Sequence, residues 1–318
     1  MANTNTTNTN STDTDDFNFF HDLSPPDSYE TKKDKLNQFA NTHVLLKNRI
    51  VLVTSGGTTV PLESRTVRFI DNFSIGTRGA TSAEYFLKQG YAVIFLHRQR
   101  SLLPFYQRVE KNILDILIFS DEDENDIKVS RTHAKKLAPF LKDYQTFKDT
   151  GMLCMVEFTT LSDYLYLLRA ACEAISVCGN KGMIYLAAAV SDFYIPKGLM
   201  PEHKIQSSDG ALQLSLEMTP KMLKPLVKDW VPKAFIISFK LETNHEILIE
   251  KAKKALATYN HQMVIANLLD TRKKEVYIVT KETEERVQLT EEELAAGREI
   301  EQPIIDKLVA YHTDLLLS

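Results

Sequence analysis

Two glycine-bearing loops in front of one helix-forming stretch make the segment 50–90 suited to seating a phosphate. An apolar, β-branched run at 50–53 opens into Ser55-Gly56-Gly57-Thr58. A second loop, Asn72-Phe73-Ser74-Ile75-Gly76, leads into a pattern with Ala80, Ala83, Phe86 and Leu87 on one face, closed by Gly90. Backbone N–H groups at a helix start lack partners inside the helix, and the helix dipole favours negative charge there. Glycine admits a ligand where a Cβ would block it. Ser74, Gly76 and Gly79 add donors and close-approach positions around the helix start. The loops match neither G-x-G-x-x-G nor G-x-x-x-x-G-K-[ST], so neither common nucleotide fingerprint applies. Taken alone, the first loop reads equally as a plain turn.

Other side chains fit chemistry beside such a seat, each with a simpler reading. Arg68 could clamp a phosphate through a bidentate pair, or form an ion pair with Glu63 or Asp71. Asn72 can donate to a carboxylate and accept from an amine, or serve as a turn residue. Ala187-Ala188-Ala189 leaves room for a ligand at a strand end, or packs a helix closely on the sheet. Asp192 follows, as a substrate contact or a loop cap. Lys204, within Glu202-His203-Lys204, could offset developing negative charge, against the ordinary fate of a solvated lysine. Lys240, Lys251, Lys253 and Lys254 could reach a triphosphate or form a solvated basic face. His97, Arg98 and Arg100 end a strand, where basic groups suit the 2′-phosphate of NADP.

Elements must hold these residues together. Apolar strands are expected at 50–53, 91–96, 153–158, 183–190, 234–239 and 263–266, alternating with helices at 77–90, 161–177 and 244–259. That alternation predicts an α/β, Rossmann-like three-layer fold with a mainly parallel central sheet. A late antiparallel pair (275–280 and 286–290) and a hairpin (204–207 with 212–218, turning at Asp209-Gly210) supply a small β-rich appendage. A first helix at 29–48 carries Leu36, Phe39, Ala40 and Val44 on its stripe, and 300–317 closes the chain. Residues 101–150, with a Lys-rich helix at 131–148, read as an insertion or lid. Residues 1–28, rich in Asn, Thr and Asp and holding Phe17, Phe19 and Phe20, read as a disordered tail. The remainder, 29–318, is expected to be one domain. Gly56, Asp192, Lys240 and Asn267 fall at strand ends, where open α/β sheets bind ligands.

Composition narrows the classes. The 318 residues carry a net charge of −4, which does not suggest a nucleic-acid partner. Cys154, Cys172 and Cys178 fit neither a zinc spacing nor a disulfide framework, and reduced core thiols point to a cytoplasmic location. No apolar run reaches the ~18 residues of a membrane span. Neither a signal-peptide core nor an Arg-rich transit pattern is visible at the N-terminus.

From Ile50 to near the C-terminus, the strings VTSGGTTVPLE, VRFIDNFSIGTRGATSAEYFLKQGY, LAAAVSDFYIP, PEHKIQS, PKAFIISFKLET and HQMVIANLL resemble the phosphopantothenate–cysteine ligases of the stand-alone eukaryotic type. Only Ile75 departs, standing where a small polar residue is expected; backbone donors remain there. The resemblance implies ATP-dependent ligation of 4′-phosphopantothenate with L-cysteine in coenzyme A biosynthesis, through an acyl-adenylate, with release of pyrophosphate and AMP. It implies Mg²⁺ beside ATP and a homodimer with active sites near the subunit interface. By matching positions, Gly56, Ser74, Gly76, Gly79, Phe239 and Asn267 would hold the nucleotide. Asn72, Ala188, Ala189 and Asp192 would hold phosphopantothenate, and Arg68 would reach its phosphate from the neighbouring subunit. Lys204 would steady the reacting charges, and Asn72 would orient the acyl intermediate. No metal ligand and no cysteine-binding residue is identified. The competing readings are an NADP-dependent Rossmann-fold reductase and a non-catalytic nucleotide-binding module that docks partners through its tail.

Overall fold

The computed structural model describes residues 20, 24–109, 112–120, 125–207 and 210–317. Its centre is an eight-stranded sheet. In chain order the strands are β1 (Ile50–Ser55), β4 (Ala92–Arg98), β7 (Leu153–Phe158), β8 (Gly182–Leu186), β11 (Phe235–Glu242), β12 (Met263–Leu268), β13 (Glu275–Val279) and β14 (Glu284–Gln288). Across the sheet the order is β14-β13-β12-β11-β8-β1-β4-β7. The first six pair in parallel, and β13 and β14 add an antiparallel edge. The chain works outward from β1 through β4 to β7, then crosses to β8 and works outward the other way. The point of reversal lies between β1 and β8, where an open α/β sheet leaves a crevice beyond its carboxyl ends.

Period-two alternation sorts each strand between two cores. Ile50, Leu52, Ile94 and Val156 face one side, under α1 (Tyr29–Leu45) and α4 (Leu161–Ser176). Val51, Val53, Val93, Phe95 and Tyr185 face the other, under α2 (Thr77–Lys88) and α6 (Glu301–Leu317). Both sets are fully buried because helices cover both faces, which explains strands that read as continuous apolar runs. A third cluster joins α5 (Leu248–Tyr259) to β12 and β13. Between β4 and β7 runs α3 (Arg131–Asp149), which buries no residue fully. A small ribbon, β5 (Leu117–Phe119) with β6 (Ile127–Val129), precedes α3. Residues 110–111 and 121–124 of the segment read as an insertion or lid lie outside the described residues.

Several local expectations change. On α1 the inward stripe is Leu36, Ala40 and His43, while Val44 is exposed. His43 turns in because its ring is satisfied: Nε2 donates to the Gly151 carbonyl at 3.0 Å and Nδ1 accepts from Asn48 at 2.9 Å. The hairpin expected at 204–207 and 212–218 is replaced by a different pairing, β9 (Phe193–Tyr194) with β10 (Glu217–Met218), and Asp209 lies outside the described residues. Strand β8 stops at Leu186, short of the expected 190. Phe20 and residues 24–28, assigned above to the tail, lie against α4. Phe20 packs edge-on to Tyr166 at 5.2 Å, and Ser162 donates to the Ser24 carbonyl at 2.8 Å. The rest of that tail, with Phe17 and Phe19, is outside the described residues.

The three cysteines are free thiols, and burial pushes all of them up, Cys178 to about 11. No helix among the described residues is long and apolar enough to cross a membrane. The two cores and α3 should respond differently to truncation. Phe86 sits on α2 against Tyr91 and Tyr185 with no exposed surface. Phe86→Ala is expected to cost about 3–5 kcal/mol in denaturant unfolding. Leu141→Ala on α3, where the side chain is 52% exposed, should change stability by no more than about 0.5 kcal/mol.

Candidate functional site

The ends of β1 and β8 do not separate at the crevice. Gly57 and Ala189 form a parallel bridge beyond both strands. The Ala189 N–H donates to Gly56 at 2.8 Å, and the Thr58 N–H donates to Ala189 at 3.0 Å. Two hydroxyls extend the link: Thr54 Oγ1 accepts from the Ala188 N–H at 3.1 Å, and Thr58 Oγ1 from the Ser191 N–H at 3.0 Å. The N–H groups of Ala188 and Ala189 are therefore committed. What those residues can offer a ligand is the Ala188 carbonyl and the space above two methyl groups.

The second loop folds back over the first. A ribbon of β2 (Thr59–Pro61) and β3 (Phe69–Asp71) carries the chain out and back, and the Asn72 N–H donates to Thr58 at 3.1 Å. The Asn72 carbonyl oxygen lies 1.6 Å from where a Cβ on Gly57 would be. A Cβ on Gly79 would lie 2.4 Å from Ser55 Oγ. These two glycines thus serve the close approach of the chain to itself, whereas the sequence reading gave that freedom to a ligand. Gly56 and Gly76 answer a different demand, each with φ at +86°, a left-handed conformation that glycine adopts without strain. Gly76 is the N-cap of α2; no side chain caps the helix, and no acidic residue lies in its first turn. Among the described residues no side chain caps its first N–H groups, a condition that an anion seat requires. Ser74 is half-buried beside this seat and does not cap it.

Phe239 and Asn267 share the sheet face covered by α2. Phe239 meets Tyr185 edge-on at 5.0 Å, and Tyr185 is hydrogen-bonded to Ser82 of α2 at 2.9 Å. Asn267 lies next to β11's Leu241, buried and two residues beyond Ile265 of the same core. Both stand inside their strands, as does Lys240, rather than just past the ends.

The other candidates gather on the side of the β2–β3 ribbon. Glu63 is buried without exposed surface and anchors that side. Its Oε2 accepts from the N–H groups of Val67 at 3.3 Å and Arg68 at 3.0 Å. Its Oε1 faces Arg68 Nη1 at 3.4 Å and the Ile205 N–H at 3.5 Å. Loss of water pushes the Glu63 carboxyl up; the backbone N–H groups of Arg68, Val67 and Ile205 and the Arg68 guanidinium outweigh it and hold the group below its ordinary value. Arg68 thus makes the ion pair with Glu63, while Asp71 pairs with Arg98. Arg68 keeps part of its fork free, using Nη2 toward the Ile205 carbonyl at 3.0 Å. Lys204 adjoins Ile205, exposed, and its ammonium has no partner among the described residues. The Asn72 carboxamide, half-buried, is likewise uncommitted among the described residues. Asp192 is not free: it forms an ion pair with Lys221, both side chains being exposed.

Three groups singled out from sequence are drawn elsewhere. Lys240 and Lys251 converge on Glu242 at 3.3 and 2.9 Å, and Lys253 pairs with Glu284. His97 is a core residue stacked on Phe95, and burial pushes its imidazole down toward the neutral form. With Arg98 on Asp71, the basic end of β4 is largely committed within the chain. Sequence reasoning passed over Lys221 and gave Glu63 only as a partner for Arg68. It also missed the Thr54 and Thr58 hydroxyls, although a threonine directly after two glycines, as Thr58 is, is the kind of signal that marks a side-chain-linked turn.

Residues 168–308 match the family model described as the DNA/pantothenate metabolism flavoprotein C-terminal domain. The chain is 52% identical over 276 residues to the phosphopantothenate–cysteine ligase of Homo sapiens, covering 83% of this chain and 86% of that one. It is 42% identical over 290 residues to phosphopantothenate–cysteine ligase CAB2 of Saccharomyces cerevisiae, covering 84% and 77%. A solved structure of a Cab2 mutant in complex with phosphopantothenate-cysteine superposes with a TM-score of 0.86 at 39% identity, covering 94% of this chain and 98% of that one. The two relatives and the solved structure cover most of the chain, and they displace the reductase and binding-module readings. The chain belongs to the phosphopantothenate–cysteine ligase family, enzymes of coenzyme A biosynthesis.

Proposed function

We propose that this enzyme uses ATP to join 4′-phosphopantothenate to L-cysteine through an acyl-adenylate. The observation that carries the reading is the uncapped start of α2, which abuts the strand-end crevice holding Ala188 and Ala189. That juxtaposition would let an anion seat and a site for a small acid share one space. Gly56, Ser74, Gly76 and Gly79 would hold the phosphates, and Phe239 and Asn267 the rest of the nucleotide. Asn72, Ala188, Ala189 and Asp192 would hold phosphopantothenate.

In the first step a carboxylate oxygen attacks the α-phosphorus and pyrophosphate leaves with the electrons of the broken P–O bond. Like charges meet there, so cations and amides must offset the repulsion. The uncommitted Lys204 ammonium suits that task. In the second step the unprotonated amine of cysteine attacks the acyl carbon, AMP leaves, and the amine proton passes to solvent. The Asn72 carboxamide would orient the acyl group, and holding both reactants makes the encounter effectively unimolecular. Among the described residues no cluster of three or more His, Cys, Asp or Glu side chains could hold a metal. Mg²⁺ on the ATP phosphates would help offset their charge.

Two further elements fit this scheme. Residues 101–150 start at the seat, where the Leu102 N–H donates to Ile75 at 2.8 Å, so this segment would shield the mixed anhydride from water as a lid. Val67 and Phe69 on the first ribbon, Phe73 and Ile75 in the loop after it, and Phe193 and Met218 on the second ribbon are exposed apolar side chains. They would join two copies into a homodimer and direct Arg68 to the phosphate in the neighbouring site. Residues 29–318 would then act as one domain.

An assay with ATP, phosphopantothenate and cysteine should yield AMP, pyrophosphate and the amide in equal amounts; ADP and phosphate instead would refute nucleotidyl transfer. Asn72→Ala should lower the rate of amide formation about 100-fold while pyrophosphate release without cysteine remains detectable; unchanged turnover would remove Asn72 from the mechanism. Gly57→Ala puts a Cβ on the Asn72 carbonyl, whereas Gly198 has nothing within 4 Å of its Cβ position. Activity and thermal stability should fall together in the first variant and hold in the second, as read by turnover and melting temperature.

A further inference from the structure

Glu63 has no place in the roles set out above, yet it ties two of them together. Its carboxylate is fully buried, and a charge withdrawn from water persists only where it is paired and hydrogen-bonded. The four groups it receives come from two segments distant in sequence: Val67 and Arg68 on one side, Ile205 on the other, with the Arg68 guanidinium between them. The segments are zipped further by the Ser64 N–H on Pro201 at 2.9 Å and the Arg65 N–H on Glu202 at 3.0 Å. The Arg68 guanidinium spans the join, donating to Glu63 and to the Ile205 carbonyl. A guanidinium carries five N–H donors, so three remain for a ligand after these two bonds. Lys204 lies within the zipped stretch and its ammonium is free among the described residues.

We infer that Glu63 is a positioning residue for the ligase reaction, fixing the Arg68 guanidinium and the Lys204 backbone in one frame. The inference rests on the proposed reading that Arg68 takes the substrate phosphate and Lys204 faces the reacting charges. The role demands a carboxylate. Each of its oxygens accepts two donors, and a carboxamide has only one oxygen. In Glu63→Gln the amide oxygen would go to the shorter Val67 and Arg68 N–H bonds. The NH₂ group would then confront the Ile205 N–H and the Arg68 guanidinium, donors against donors. The fold of the ribbon is retained, and the tie to Arg68 and Lys204 is lost.

The test is steady-state kinetics on the full chain with phosphopantothenate, with pantothenate lacking the phosphate, and with ATP as the varied substrate. Glu63→Gln should raise KM for phosphopantothenate about 10-fold or more, the scale of a lost charge-assisted hydrogen bond. It should narrow the preference for phosphopantothenate over pantothenate by a similar factor, and leave KM for ATP within about twofold. In an Arg68→Ala background the substitution should add little to that KM, because the two act through one interaction. Equal losses toward all three substrates would make Glu63 a plain loop staple and overturn the inference. So would an unchanged Glu63→Gln enzyme beside an impaired Arg68→Ala enzyme, and that outcome would leave the site reading standing. An unimpaired Arg68→Ala enzyme would instead sink the site reading, and the inference with it. Should Glu63→Gln not fold, Arg68→Lys carries the same expectation, since one ammonium lacks the fork that holds Glu63 and the Ile205 carbonyl together. A phosphate-selective loss there supports the inference, and a uniform loss overturns it.

Discussion

The continued pairing of β1 and β8 beyond their last strand residues is the constraint on which the site depends. Neighbouring strands at a point of topological reversal send their chains to opposite sides, and the crevice opens because they part. Here the parting is delayed by the Gly57–Ala189 bridge and its two backbone hydrogen bonds. Each buried N–H left without a partner would cost about 1–3 kcal/mol. The bridge, with the Thr54 and Thr58 hydroxyls, satisfies such groups where strand pairing stops. The loops are consequently built on the sheet, whose strands are buried on both faces, and that gives a catalytic site its precision. The Asn72 carbonyl can cross only because Gly57 lacks a Cβ, so a single missing methyl group lets the second loop, and with it the start of α2, come down onto the first.

Charge around the crevice is distributed by a simple rule. Most basic groups near it are already matched: Arg98 by Asp71, Lys221 by Asp192, Lys240 and Lys251 by Glu242, and Arg78 in the first turn of α2 by Glu301 at 2.9 Å. Matched surface pairs contribute little stability, so their main effect is on the local field. Among the described residues, the α2 start has no capping side chain, and the Lys204 ammonium and the Arg100 guanidinium have no partner. Separated sources of positive character would suit the two anions of the proposed reaction, since each can be held without neutralising the other.

Much of this was legible in the sequence, for physical reasons that differ between elements. The parallel strands showed as apolar runs because burial on both faces leaves no polar position, and α2 showed through the period of Ala80, Ala83, Phe86 and Leu87. The glycine loops were legible as two bends before a helix start, but not the division of labour within them. Gly57 and Gly79 face the chain's own atoms, and that crossing is a contact between residues whose proximity only the folded sheet creates. His43 was hidden because its partner Gly151 is 108 residues away, and a histidine on an apolar stripe is unremarkable until its ring is satisfied. The 204–218 hairpin failed for the converse reason. Asp209-Gly210 is a genuine local turn signal, yet Glu217–Met218 found a better partner in Phe193–Tyr194, and the Asp192 carbonyl accepts the Thr219 N–H at 2.9 Å beside it.

Glu63 illustrates a kind of residue that motif reading undervalues. On a sequence it is a lone acid before Ser64 and Arg65, and a lone acid defaults to the surface. Burial inverts that default, because a carboxylate without water must collect donors, and collecting them from two chain segments fixes those segments relative to each other. The nearby basic groups then divide by what the carboxylate leaves them. Arg68 is held at one end of its fork and presents the remainder, while Lys204 is held by its backbone neighbours and, among the described residues, its exposed ammonium has no partner. A rigid fork suits a phosphate, whose tetrahedral oxygens are fixed in space, and a mobile point charge suits a centre whose charge moves during reaction. One buried acid thereby sets the place of two basic groups, tethering the guanidinium of one and only the backbone of the other.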